Sequence, residues 1–270
     1  AKPKASTSCT CRRLPDRQDE PQGTQQRAGG RSRDPGSPFG IGSELGGHDT
    51  VDPLLGNMDD FKALVAKAHE LGLEIALDFA LQCSPDHPWV NQHPDWFRHK
   101  PDGSIAFAEN PPKKYQDIYP IDFNADMPGI EKEVERVLEL WINAGVTIFR
   151  IDNPHTKPVR FWQDVIAAVT KKHPEILFLA EAFTRPGMMR ALSYVGFTQS
   201  HCYFPWRNTK EELGKYLETT NGDDGYYQHN TFWPHHHRTS SPPTCATTHR
   251  RPRCARGARR DGAAPSWGIY

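Results

Sequence analysis

The chain has 270 residues, which is enough for one large domain. Its 33 basic and 33 acidic side chains give a formal net charge of zero, so overall charge indicates neither a nucleic-acid partner nor a membrane partner. No apolar run approaches 18 residues and the polar N-terminus lacks the apolar stretch of a signal peptide, so we expect a cytoplasmic protein without a transmembrane helix.

Residues 1–36 contain a single large apolar side chain, Leu14. The segment is rich in Arg, Gln, Pro, Gly and Ser. Such a composition cannot bury enough surface to offset the entropy lost on ordering the chain. We therefore interpret residues 1–36 as a disordered or out-of-frame segment, and we expect no strand in it.

Residues 37–234 have the composition of a globular domain, with helical spacing of apolar side chains beginning at Phe61, Ile130 and Trp162. Short apolar runs alternate with these helices and are typical of strands buried on both faces. The strand-like runs are 74–81, 147–152, 176–183 and a weaker one at 196–206. This order predicts an α/β fold with a parallel sheet.

Residues 235–265 contain no Val, Ile, Leu, Met, Phe, Trp or Tyr, so we interpret them as a second disordered or out-of-frame segment. Globular sequence resumes at 266–270. The run 249–260 has six arginines, which leaves open a non-catalytic fragment whose basic tail contacts nucleic acid. Aromatic residues for base stacking are missing there, and we expect no nucleic-acid partner.

The cysteines predict no metal site. Four of them lie in the two unusual segments, and their spacings, C-x-C and C-x₈-C, match no ordinary zinc pattern. We interpret all six as free thiols. They are Cys9, Cys11, Cys83, Cys202, Cys245 and Cys254.

Two carboxylates each end an apolar run. Asp152 closes 147–152 and Glu181 closes 176–181, and they are separated by 29 positions. One strand-plus-helix unit of a (β/α)₈ barrel takes about 30 residues, so the two acids are placed at the carboxyl ends of neighbouring strands. A paired nucleophile and acid/base carboxylate is typical of glycosyl transfer.

Three further polar residues lie near these acids in the predicted sheet. Arg150 is two residues before Asp152 and shares its face, where it either keeps the carboxylate ionised or forms a purely structural ion pair. Asp78 is placed to support Arg150. Gln82 follows in the same register and would either donate to a sugar hydroxyl or be a solvated loop amide.

The loop cluster 110–117 combines asparagine, lysine and tyrosine donors. Such donors suit a phosphate, although a solvated loop explains the same composition. The chain has no Gly-rich phosphate loop, so nucleotide binding is not indicated.

Six motifs together carry a family resemblance. They are GGHD at 46–49, EIALDFALQCSPDHPWV at 74–90, AENPPKKYQDIYPI at 108–121, FRIDNPHTKPV at 149–159, LAEAFTRP at 179–186 and YFPWRNTKEEL at 203–213. Residues 37–234 closely resemble the catalytic domain of the maltosyltransferases of the α-amylase superfamily that use α-maltose 1-phosphate. The resemblance implies a partial (β/α)₈ TIM barrel of the α-amylase type.

The resemblance also implies a retaining double displacement. Asp152 matches the nucleophile, Glu181 the acid/base and Arg150 the arginine that positions the nucleophile. The acceptor would be an α-1,4-glucan such as glycogen, no cofactor is expected, and the native protein would be a homodimer. Substrate contacts are implied for Gln82, Asp117 and Asn153, and a phosphate-holding donor pocket for Asn110, Lys113 and Tyr115.

The chain departs from the family pattern at both ends. The family's third carboxylate should follow Pro234 in a Thr-Pro-Asp context, but Arg238 stands where the acid should be. An early strand and a substrate-binding lysine should precede residue 36, and Lys2 and Lys4 are not convincing substitutes. Our hypothesis is that residues 1 to about 34 and about 235 to 264 are translated out of frame. We expect the chain as printed to fold poorly and to be inactive.

An amylase-type hydrolase or a trehalose-forming isomerase is the alternative enzymatic interpretation. Both share the paired carboxylates of retaining glycosidases. The cluster Lys113–Tyr115, which suits a phosphate, argues against them. Phosphate release that requires a glucan acceptor would separate the possibilities.

Overall fold

The fold was analysed in a computed structural model, which describes residues 7–10, 39–53, 55–201, 206–221 and 228–230. Within these residues no helix combines the length and the hydrophobicity needed to cross a bilayer. The segments 235–265 and 266–270 lie outside the described residues, as does most of 1–36, so the predictions for these segments stay predictions.

The secondary structure alternates between strands and helices over most of the described chain. The strands are β1 (Thr7–Thr10), β2 (Ile75–Phe79), β3 (Gln82–Cys83), β4 (Ala108–Asn110), β5 (Lys113–Tyr115), β6 (Tyr119–Pro120), β7 (Ile148–Asp152), β8 (Leu177–Glu181), β9 (Gln199–His201) and β10 (Gln228–Asn230). The helices are α1 (Met58–Glu70), α2 (Pro88–Gln92), α3 (Met127–Asn143), α4 (Val159–Lys172), α5 (Pro186–Tyr194) and α6 (Lys210–Asn221).

A six-stranded parallel sheet in the order β1-β2-β7-β8-β9-β10 forms the centre of the molecule. Strands β2, β7, β8 and β9 lie within the four runs identified in the sequence, so the predicted parallel α/β sheet is confirmed. Strand β1 was not expected, because its segment has no apolar run. It pairs with the edge of β2, with Thr7 opposite Ile75 and Thr10 opposite Asp78.

The strands are apolar because the sheet is covered. All five residues of β2 are buried, and so are four of the five residues of β7. Helices α3 and α4 present one apolar stripe each to the sheet, as their spacing predicts. Trp141 and Trp162 are the largest side chains of these stripes and are almost fully buried.

Local signals fix where the helices begin and end. Asn57 caps α1 by accepting from the backbone N–H groups of Asp59 and Asp60, and the Asp60 carboxylate accepts from the Asn57 N–H in return. Helix α3 ends just before Gly145, which has φ +97°. A Cβ at Gly145 would lie 2.9 Å from Val65 Cγ1, so both the backbone conformation and the packing of α1 require glycine there.

The long excursion between β2 and α3 has structure of its own. Strand β3 pairs antiparallel with β6, and β4 pairs antiparallel with β5 across a short turn, while α2 lies between β3 and β4. Trp89 and Trp96 pack edge to face within it at a centroid distance of 5.5 Å. The excursion is therefore anchored to the end of β2 and extends from the carboxyl edge of the sheet.

Replacing Phe178 tests how the core of the sheet is packed. Its ring is fully buried on β8 between Phe149 and Phe197. We expect Phe178→Ala to lower the free energy of unfolding by about 3–5 kcal/mol, because it leaves a cavity under the central strands. Leu71→Ala, at a side chain 66% exposed, should change it by less than about 0.5 kcal/mol.

Urea denaturation of the 270-residue chain, followed by circular dichroism, measures both variants. Equal midpoints for Phe178→Ala and Leu71→Ala would contradict the position of Phe178 in the core. A chain without any cooperative transition would instead bear out the expectation of poor folding.

Candidate active site

Asp152 and Glu181 are the last residues of neighbouring strands. The register of β7 and β8 places them directly opposite each other at the carboxyl edge of the sheet. Their side chains are 4% and 7% exposed. Parallel barrels assemble their chemistry at this edge, so the structure brings together the two carboxylates predicted from the sequence.

Arg150 connects three carboxylates with one guanidinium group. Its Nη1 lies 2.5 Å from Asp78 Oδ1 and 3.2 Å from Asp152 Oδ1, and its Nη2 lies 2.7 Å from Glu181 Oε1. The guanidinium side chain is 11% exposed, so little water screens these contacts. The predicted support of Arg150 by Asp78 is present, and Asp78 pairs with Arg150 in the β2–β7 register as well.

Asp152 and Glu181 differ in pKa. Burial raises the pKa of Glu181 to about 8; Arg150 opposes this rise, and the nearby Asp152 adds to it. Burial also acts to raise the pKa of Asp152, but a hydrogen bond from Glu181 and the positive charges of Arg150 and Lys157 together bring it below its usual value. At neutral pH, Glu181 therefore carries a proton and Asp152 is ionised.

The turn after β7 contains a buried lysine beside the two carboxylates that sequence reasoning missed. Lys157 is buried, and its Nζ donates to the backbone oxygens of Asp152 at 3.1 Å and Asn153 at 3.2 Å. Burial lowers the pKa of Lys157 to about 8, although the nearby acids oppose this fall. The available signal was a lone charged residue in the stretch 153–159, directly before an apolar helix.

Asn153 adopts a left-handed conformation, with φ 44° and ψ 53°. Its Nδ2 donates to Asp152 Oδ2 at 3.4 Å, a long contact. The side chain predicted to bind substrate is therefore beside the nucleophile candidate, on the carboxyl edge of the sheet.

The other predicted substrate residues lie in the excursion. The Gln82 amide donates to the Phe39 backbone oxygen at 3.0 Å, which leaves its own oxygen for a ligand. Asp117 and Tyr115 are half-buried, whereas Asn110 and Lys113 are exposed on the β4–β5 hairpin. In the described part of the chain, no hydrogen bond or ion pair joins the hairpin to the two carboxylates.

His48, Cys83 and His87 form the candidate metal cluster among the described residues, with ligand atoms within 4.8 Å of one another. Hydrogen bonds fix both ring tautomers. His87 Nδ1 accepts from the Trp89 N–H, so its Nε2–H donates to His48 Nδ1 at 2.9 Å, and the His48 Nε2–H donates to the Ala80 oxygen at 2.9 Å. Every ring nitrogen is used, so this cluster does not fit a metal ion.

The hydrogen-bonded pair of His48 and His87 is uncharged at neutral pH. Burial lowers the pKa of His48 to about 4, and burial together with the neighbouring His48 lowers that of His87 to about 2. His48 also stacks on Trp89, and the Trp141 indole donates to its backbone oxygen. This histidine pair therefore fixes the segment that connects β2 to the excursion.

Comparison with known proteins gives strong similarity to one enzyme. The chain is 81% identical over 242 residues to the α-1,4-glucan:maltose-1-phosphate maltosyltransferase of Bifidobacterium longum, and 73% identical to that of Bifidobacterium animalis subsp. lactis. The resemblance to the maltosyltransferases is confirmed. Each match covers 88% of the chain but 32% of the relative, so the chain spans about a third of the length of these curated relatives.

The fold comparison agrees with the sequence comparison. The crystal structure of an α-amylase from Lactobacillus plantarum superimposes with a TM-score of 0.60 at 26% identity, over 78% of this chain and 52% of that one. The predicted partial barrel of the α-amylase type is thereby confirmed. No family model matches the chain.

The raised pKa of Glu181 predicts an unusual dependence of stability on pH. Between its ordinary value of 4.5 and about 8, the folded state holds a proton that the unfolded state has lost. The free energy of unfolding should therefore fall as pH rises through this window, by up to about 1.4 kcal/mol per pH unit. Glu181→Gln should remove this part of the slope and stabilise the protein at pH 8.

Urea titrations at pH 5 and pH 8 of the unsubstituted chain and of Glu181→Gln measure the effect. Glu44→Gln, which removes an exposed carboxylate, is the control and should leave the slope unchanged. An identical slope in the chain and in Glu181→Gln would contradict the proton held by Glu181.

Proposed function

We propose that this site performs the retaining transfer of maltosyl units from α-maltose 1-phosphate to the non-reducing end of an α-1,4-glucan, with release of phosphate. The observation that carries the proposal is the ionised Asp152 opposite the protonated Glu181, with Arg150 in contact with both. The 81% identical maltosyltransferase of Bifidobacterium longum supports the choice of donor.

In the first half of the reaction, the Asp152 carboxylate attacks the anomeric carbon of the donor. The bond from that carbon to the phosphate oxygen breaks, and the Glu181 carboxyl gives its proton to the departing phosphate. A maltosyl ester of Asp152 results, with inverted configuration. Arg150 keeps Asp152 ionised up to this moment, because its positive charge favours the carboxylate.

In the second half, Glu181 is ionised and acts as the base. It takes the proton of the acceptor's 4-hydroxyl group, whose oxygen attacks the anomeric carbon and displaces Asp152. Two inversions restore the original configuration. A pKa of about 8 suits both roles, since a group that donates and accepts a proton near neutral pH needs a pKa close to the working pH.

The remaining predicted residues are proposed as substrate contacts. Asn153 adjoins the nucleophile, Gln82 lies on β3 and Asp117 lies between β5 and β6. The β4–β5 hairpin offers an exposed lysine at Lys113, whose charge suits a phosphate. Asn110 and Tyr115 on the same hairpin complete the proposed phosphate site.

Several statements about the whole protein stay predictions. The resemblance implies a homodimer, and the composition implies a cytoplasmic protein without a nucleic-acid partner. An amylase-type hydrolase is the second candidate, favoured by the likeness of the fold to an α-amylase. Its reaction would consume glucan and water without releasing phosphate.

A segment graft tests the function in a protein of full length. Residues 37–234 replace the matching segment of the Bifidobacterium longum relative, and phosphate release is measured with α-maltose 1-phosphate and maltohexaose. We expect turnover that requires both substrates. Asp152→Asn in the graft should lower kcat by at least about 10⁴-fold, because the nucleophile is lost.

Asp164→Asn is the matched control, since this exposed carboxylate pairs with Arg160 on the outer face of α4 and should leave turnover unchanged. Glucan hydrolysis without phosphate release would instead indicate the amylase-type enzyme. Turnover that survives Asp152→Asn would contradict the proposed nucleophile.

The missing third carboxylate leads to a separate prediction about the gene. If residues 235–264 are out of frame, another reading frame of the codons after Pro234 should encode a Thr-Pro-Asp segment. Sequencing codons 230–270 and translating all three frames checks this. A gene without such a segment in any frame would make Arg238 the true residue and would contradict the hypothesis.

A further inference from the structure

Lys157 is a lysine in a position where lysines are rarely found. Its side chain is 9% exposed, and burying an ammonium group is costly unless other groups compensate its charge and its hydrogen bonds. In the described structure its Nζ makes no direct contact with a carboxylate. The hydrogen-bond acceptors that it has are the backbone oxygens of Asp152 and Asn153.

Those two oxygens belong to a strained turn. Asn153 is the one residue other than glycine with a positive φ in the described chain, and such conformations persist where the surroundings hold them. Its oxygen accepts from Lys157 Nζ at 3.2 Å and from Thr156 Oγ1 at 2.8 Å. The next oxygen, of Pro154, accepts from the Trp162 indole at 3.1 Å. Side chains therefore hold three successive carbonyl groups, from the last residue of β7 to the second residue of the turn.

The turn decides where the reactive carboxylate points. Asp152 is both the last residue of β7 and the first residue held by Lys157, and Asn153 Nδ2 contacts its Oδ2. A shift of the Asp152–Asn153 peptide would carry the carboxylate away from the position that Arg150 and Glu181 define.

We propose that Lys157 is a positioning residue that orients the nucleophile Asp152 by binding the backbone carbonyl groups of Asp152 and Asn153 and by adding a buried positive charge. This proposal rests on the proposed function of the site. Lys157 reaches the reaction through the backbone and through its charge, without touching the reacting atoms.

The charge contribution can be separated from the structural one. Besides Lys157, four titratable or charged groups lie near Asp152. At neutral pH, Arg150 is the one positive group among these four. Replacing the ammonium with an uncharged side chain should therefore raise the pKa of Asp152. The four neighbouring groups are Asp78 on β2, Arg150 on β7, His155 in the turn and Glu181 on β8.

The first measurement uses the full-length graft and requires no turnover. Carboxyl groups labelled with carbon-13 are titrated by nuclear magnetic resonance, and Asp152→Asn identifies the signal of Asp152. We expect Lys157→Met to raise the pKa of Asp152 and Lys157→Arg, which keeps the charge, to leave it near its original value. Lys171→Met removes an exposed lysine of α4 and is the matched control.

The second measurement uses the full-length graft. We expect Lys157→Met to lower kcat by about 100-fold with KM changed less than about threefold, since a misplaced nucleophile slows the chemical step. The acid limb of the kcat/KM profile should move to higher pH in Lys157→Met and stay in place in Lys157→Arg, with part of kcat recovered.

The outcomes are distinct. An unchanged pKa of Asp152 and an unchanged kcat in Lys157→Met would overturn the proposal, as would a loss of activity that Lys157→Arg shares in full without any move of the acid limb. If Lys157→Met does not fold, Lys157→Gln replaces it, because its amide can still donate to the carbonyl groups although the charge is lost: a raised pKa of Asp152 then supports the proposal and an unchanged one overturns it. A graft that is inactive but shows the shifted pKa of Asp152 in Lys157→Met would count against the proposed function and leave the positioning role supported.

Discussion

The contact of one guanidinium group with three carboxylates is the interaction on which the site depends. Arg150 is the only charged residue in the middle of β7, and its partners come from β2, from β7 itself and from β8. Without that charge, three acids would share a buried edge and repel one another. The sheet register makes the contact possible, because Asp78 lies opposite Arg150 and Glu181 lies opposite Asp152.

Side chains that donate to backbone carbonyl groups recur around this edge. His48 donates to the oxygen of Ala80 just after β2, Gln82 donates to that of Phe39, and Lys157 and Trp162 act on the turn after β7. Carbonyl groups beyond a strand end have lost their partners in the sheet and need others when they are buried. Satisfying them with side chains also fixes the loops that carry the proposed substrate contacts.

The positions of the catalytic candidates could be predicted from the sequence, because they follow the spacing of apolar residues. Asp152 and Glu181 end apolar runs, so both their strand ends and their proximity could be predicted, and Arg150 shares a face with Asp152 by simple alternation. Strand β1 could not be predicted, since Thr7–Thr10 has no apolar run and depends on the free edge of β2. Lys157 was missed because its role depends on burial and on a left-handed neighbour, neither of which leaves a pattern.

The arrangement of sheet and helices also determines which parts of the sequence can be substituted without changing the site. The catalytic candidates are tied to strands, whereas α3 and α4 meet the sheet with one stripe and leave their outer faces exposed. We expect substitutions on those faces to leave the strand ends in place. Sequence changes on the outside of the sheet are therefore compatible with an unchanged site. The same separation makes the outer helices suitable positions for labels or surface anchors that leave the chemistry undisturbed.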